Sequence, residues 1–155
     1  RRDIVRVVTP GTVTENSMLD ESRNNYFACV FGENGVYGST RAQFAGQKME
    51  VAFAQEVEAG DAEIWTTTSG ETPRAYRVKI EKISDADPRR NMVLRVVDRE
   101  LLAQTGGIVQ GMSGSPIVQN GRLVGAVTHV LVNDPTRGYG IFAQTMLEQA
   151  ERVTE

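Results

Sequence analysis

Two β-rich runs, Ile117-Val118-Gln119 and Arg122-Leu123-Val124-Gly125-Ala126-Val127, are separated by Asn120-Gly121 alone. Asn-Gly between such runs is the strongest short-range signal for a β-hairpin, because both residues tolerate the left-handed backbone that a two-residue turn needs. Directly upstream stands Gly111-Met112-Ser113-Gly114-Ser115-Pro116. Taken alone, this hexapeptide reads as an ordinary loop, since glycine, serine and proline are common turn formers. A serine between glycines can also be held on a tight bend with its hydroxyl exposed and neighbouring amides free, which is what an acyl-transfer nucleophile needs. Ser113 is the one place where residue types and order suggest covalent chemistry.

The rest of the chain is predicted to be mostly strand. Ile4-Val5-Arg6-Val7-Val8 reads as a strand running into the turn Thr9-Pro10-Gly11, and residues 14–23 are polar and irregular, with one helical turn near Met18-Leu19. Residues 26–31 form a strand that Glu33-Asn34-Gly35 turns back towards Val36-Tyr37-Gly38 as a hairpin. Residues 48–53, 62–68 and 92–97 are further strands. The clearest is 75–83, where apolar side chains recur at every second position. Residues 85–90 read as a loop. Residues 98–104 read as a short helix or turn ending at Gly106-Gly107, and only 144–153 has strong helix-forming composition.

The hairpin and its serine bend have the layout of the nucleophile region in chymotrypsin-like proteases. The longer run from Thr105 to Gly140, with its glycines, His129 and Asn133-Asp134-Pro135 in one register, resembles the serine peptidase domain of the stage IV sporulation protein B (SpoIVB) family. The likeness extends from about Val36 to about Leu147. It implies an all-β, trypsin-like fold with one complete barrel around Ser113, a partial or rebuilt first barrel from the N-terminal hairpin, and a short C-terminal helix. It also implies a serine endopeptidase acting on polypeptides, located between the mother-cell and forespore membranes of a spore-forming bacterium.

The beginning of the chain has a second likeness. Arg2-Asp3-Ile4-Val5-Arg6-Val7-Val8-Thr9-Pro10-Gly11-Thr12-Val13, followed by Leu19-Asp20-Glu21 and Asn24-Asn25-Tyr26, resembles the DNA mismatch-repair protein MutS family where its mismatch-binding domain passes into the connector domain. The ATPase motif Gly-x-x-x-x-Gly-Lys-Ser/Thr is absent from the sequence, so no repair activity follows. The expected organisation is a fusion, natural or engineered, with a MutS-like segment over 1–38 and the peptidase barrel with its helix over 39–155.

A serine hydroxyl needs a base within hydrogen-bond reach to become a nucleophile at neutral pH. The chain has one histidine, His129, sixteen residues beyond Ser113. By resemblance, the strand through Thr128, His129 and Val130 lines the substrate pocket, which makes His129 a wall of that pocket or a core residue before it makes it the base. The family's expected base lies in a Gly-His-Gly segment, and no such segment occurs here. Asp98, fifteen residues before Ser113, matches a carboxylate implicated in the family's active site; read locally, it is a cap for the helix begun by Arg99-Glu100-Leu101. The amides of Gly111 and Ser113 would form the oxyanion site. Ser115 is expected to bond to the turn, Asn133-Asp134-Pro135 to make an Asx-type turn, and Trp65 to anchor the core.

Composition narrows the remaining classes. With 155 residues and 40% hydrophobic content the chain can bury a sizeable core. A net charge of -3 gives no footprint for non-specific nucleic-acid binding, so DNA binding by the MutS-like segment would have to be local. No apolar run is long enough to span a bilayer. Cys29 is alone and reads as a small buried hydrophobe. No cluster of residues has metal-ligand spacing, and no cofactor is implied. The competing readings are an active peptidase and a non-catalytic β-domain that binds an extended peptide. In either case, a chain lacking half of a two-barrel protease would expose apolar surface that a second copy could cover, giving a homo-oligomer.

Overall fold

The computed structural model describes residues 2–7, 26–32, 35–40, 46–70 and 72–154. The helical turn expected near Met18-Leu19 and the side chain of Cys29 lie outside them. Ten strands and two helices follow in order: β1 (Ile4–Val7), β2 (Tyr26–Gly32), β3 (Gly35–Thr40), β4 (Gln47–Glu50), β5 (Gly60–Thr66), β6 (Arg74–Ile83), β7 (Met92–Val96), α1 (Arg99–Thr105), β8 (Pro116–Gln119), β9 (Arg122–Leu131), β10 (Asp134–Phe142) and α2 (Ala143–Thr154).

Strands β5 to β10 close into a six-stranded barrel in the order β10-β7-β6-β5-β8-β9. Alternation sets the interior. In β6, Tyr76, Val78 and Ile80 are buried while the residues between them face solvent, and β7 sends in Met92, Leu94 and Val96. Ile64, Leu101, Met112, Ile117, Val124 and Val127 complete one continuous core. Closure rests on a short contact, because β5 and β8 share only the pairs Glu63↔Val118 and Ile64↔Ile117. Beside it, buried Gln119 donates to the carbonyls of Glu58 and Asp61 and accepts from the Glu58 amide, so this inward-turned amide group is fully bonded.

The preceding strands do not enter the barrel. β1 pairs with β4 and β2 with β3, each as a two-stranded ribbon, and α2 lies beside β3 and β9. The β1–β4 ribbon rests on the outside of the barrel through Val7, Met49 and Val118, flanked by Val5, Trp65 and Leu123. Trp65 is thus an anchor of this outer joint and not of the barrel interior, and its Nε1 is buried without a hydrogen-bond partner. The ribbon continues past β4, where Val51 bridges Leu123 and the Ala52 amide donates to the Leu123 carbonyl at 2.9 Å.

Charged groups fasten the same joint. The Arg2 guanidinium binds the Glu56 carboxylate, lies 4.9 Å from the centre of the Phe53 ring, and donates to the Val51 carbonyl. Arg122 of β9 reaches Glu56 at 3.1 Å and Glu50 at 3.4 Å. The Arg2 hydrogen bond, reinforced by the Phe53 amide, lowers the Glu56 carboxyl to about 2.

Candidate active site

The bend at Ser113 is built by the helix before it and the hairpin after it. α1 opens on Asp98, whose carboxylate accepts from the amides of Glu100 and Leu101, and it ends on Gly106 in the left-handed conformation. The Arg77 amide also donates to Asp98, at 3.1 Å. Burial alone would raise the Asp98 carboxyl, but these three amides outweigh it and hold it below the usual range. All the bonds found for Asp98 are to its own helix and β6, so the structure places it as the cap.

Gly107 follows with φ +137°, and a Cβ there would lie 2.1 Å from the Pro135 carbonyl oxygen. The Ile108 amide donates to that same carbonyl at 2.7 Å. The start of β10, just past its turn from β9, is therefore seated on the entry to the bend. Within it, Asp134 makes an Asx-type contact, accepting from the Thr136 hydroxyl and amide, and these bonds lower its carboxyl.

The bend itself is pinned at both glycines, with φ 101° at Gly111 and 90° at Gly114. Met112 is fully buried beneath it. The Ser115 amide closes back on the Met112 carbonyl at 2.9 Å, and the Gly114 amide donates to Val127 at 2.7 Å. The Val127 amide returns a bond to the Ser115 carbonyl. The amides of Gly111 and Ser113 make no hydrogen bond among the described residues. The hydroxyl expected on the turn at Ser115 differs from expectation: its backbone makes the turn bonds, while its Oγ is buried with no partner. Asn120 and Gly121, with φ 53° and 72°, then make the tight hairpin from β8 into β9.

Ser113 is exposed, and its Oγ donates to the Thr128 carbonyl at 2.9 Å. The fold thus brings Ser113 to Thr128 across fifteen residues of chain. The register of β9 against β10 shifts at this point, from Gly140↔Val127 to Tyr139↔His129, which is a β-bulge at Thr128. The bulge explains why Val127 is buried while His129, two residues on, is exposed. Val130 packs partly against the barrel core. β8 leaves β9 at Pro116↔Ala126, so beyond Val127 the second edge of β9 carries no paired strand among the described residues. No hydrogen bond joins Ser113 to His129 among them. No group of His, Cys, Asp or Glu side chains there could hold a metal ion.

The profile of the SpoIVB peptidase S55 family matches residues 9–147. The chain belongs to that family. The match begins well before Val36 and takes in most of the segment that also resembles MutS, so the two likenesses overlap. MutS from Acetivibrio thermocellus is 50% identical over 38 residues, 24% of this chain and 4% of that protein. MutS from Clostridium perfringens is 28% identical over 102 residues, 66% of this chain and 10% of that protein. Among solved structures, the inactive form of the Rv3671c protease has a TM-score of 0.53 at 17% identity, covering 83% of this chain and 67% of that one. A serine-to-alanine mutant of the same protein from M. tuberculosis H37Rv, also in its inactive form, has a TM-score of 0.53 at 16% identity, covering 99% and 85%. These neighbours share the trypsin-like fold of this S55 family member.

Sequence reasoning found the Asp98 helix cap, and the structure brings Ser113 and Thr128 into hydrogen-bond contact. Sequence reasoning missed the bulge at Thr128 and the bonded pair of Gln119 and Glu58. Neither has a local signal, because each depends on partners more than ten residues away.

Proposed function

We propose that this chain is a serine endopeptidase of the SpoIVB kind, or the portion that bears its nucleophile, with Ser113 forming the acyl-enzyme. The observation that carries this reading is the position of the serine. Among the described residues, an exposed hydroxyl on a glycine-pinned bend, flanked by two amides without a hydrogen bond, stands where the unpaired edge of β9 begins. An extended polypeptide added along Thr128, His129 and Val130 would bring a carbonyl to Ser113, with the Gly111 and Ser113 amides facing its developing charge. Attack forms the Oγ–carbonyl bond and expels the amine, and the serine proton must reach that amine through a base; no side chain among the described residues stands in hydrogen-bond contact with Ser113 to serve as one. Asp98 caps α1, and His129 serves as a wall of the peptide-binding strand. The family points to sporulation, and the space between the two membranes of the developing spore is the location proposed for the chain.

The bond from Ser113 to the Thr128 carbonyl favours a second reading, a β-domain that holds peptide without turning it over. Labelling by a fluorophosphonate separates the two. The peptidase reading expects an adduct on Ser113 that the Ser113→Ala variant loses. An unlabelled chain that still binds extended peptide, under conditions that label a control protease, would leave only the binding role.

A further inference from the structure

Beside the nucleophile, the outer face of the barrel carries three recognition groups that the cleavage chemistry does not use. The bulge at Thr128 turns His129 outward, and His129 stands directly opposite Tyr139 on β10. Directly paired residues of neighbouring strands share a face. The Arg90 guanidinium lies 4.8 Å from the centre of the Tyr139 ring. Arg90 is exposed and makes no ion pair with a carboxylate among the described residues. It is also well placed, because its neighbour Asn91 is buried and bonded on both sides. Asn91 donates to the carbonyls of Ser84 and Asp87 and accepts from the Phe142 amide. The loop that ends in Arg90 is thereby tied to β10. Elsewhere on this face Arg95 and Arg137 both bind Glu81 and Lys79 binds Asp61, while Lys82, opposite Val93, is exposed on β6, two strands farther from β9 than Tyr139.

We propose that Arg90, stacked on Tyr139 beside His129, reads an acidic side chain of the bound polypeptide. The inference rests on the placement of peptide along the free edge of β9. In such a pairing, the residue opposite His129 points its side chain to the face that holds Tyr139 and Arg90. The peptide backbone then lies two strand spacings from β10, about 10 Å, a gap that a glutamate and an arginine can close between them. A guanidinium held over a ring presents its donors in one plane, the arrangement that suits a carboxylate. With the peptide antiparallel to β9, the preferred substrate is a polypeptide with Glu on the N-terminal side of the scissile bond, at the position opposite His129.

The test uses the full chain carrying Ser113→Ala and short blocked peptides that differ only in Glu, Gln or Lys at that position, with Kd read by calorimetry. The Glu peptide should bind about fivefold more tightly than the Gln peptide, the size of one partly exposed charge pair. Arg90→Ala should remove the difference, and Arg90→Glu should turn the preference to the Lys peptide. Equal Kd for the Glu and Gln peptides on the Ser113→Ala chain overturns the acidic preference and leaves peptide binding intact. Binding of none of the three overturns both this inference and the placement of peptide on β9.

Discussion

In the barrel of β5 to β10 each strand has two neighbours, and its apolar side chains meet in an interior shielded from every side. The β1–β4 ribbon has one small apolar patch against the outside of that barrel and a cluster of charges around Glu56. Both regions use short, alternating strands, yet one gains stability from enclosure and the other from attachment. Ser113, Thr128 and the start of β10 at Pro135 all belong to the enclosed region. The geometry around Ser113 is set by the enclosed region, and the expectation to test is that the ribbon loosens before it.

That contrast can be broken by substitution. The largest effect is expected from Leu94→Ala, which empties a fully buried position in the barrel and should cost about 3 kcal/mol in urea unfolding. Met49→Ala, in the outer joint, should cost about 2 kcal/mol, the low end for a buried methionine, because the patch there is small and can settle around the loss. Hydrogen exchange sharpens the distinction. The Met49 variant should lose protection in β1 and β4 alone, and equal loss across the barrel amides would show that the two regions unfold as one.

The mildest test is acid. Glu56 is held at about 2 in the folded chain against an ordinary value of 4.5, so it is the folded form that resists protonation. The stability this supplies is complete above about 4.5 and is lost as the pH falls through that value towards 2. Exchange protection in β1 should therefore decline over that window while the barrel core remains protected. Glu56→Gln should remove the pH dependence, and a β1 whose protection ignores both would show that the charge cluster contributes nothing to its docking.

Elements written in local chemistry were legible in the sequence. Asn120-Gly121 gave the hairpin, the alternation from Tyr76 gave β6, and Asp98 with Gly106 bounded α1. The serine bend was readable for the same reason, since its glycines and its hydroxyl are neighbours in the chain. What escaped is what long-range pairing decides. The two-pair closure of β5 on β8, the outward turn of His129 and the seat of Trp65 outside the barrel depend on partners that no window of sequence brings together. The buried Ser115 hydroxyl escaped for another reason: turn composition predicts which backbone groups bond and is silent on where a side chain is left without one.

The contact between Gly107 and the Pro135 carbonyl makes a hinge pin of a residue with no side chain. Even a methyl group at 107 would lever the start of β10 outward, and Ile108, which hangs from the same oxygen, would be carried along. The serine bend is thereby ratcheted to the start of another strand, and wear at that distant bearing would be felt as misalignment of Ser113.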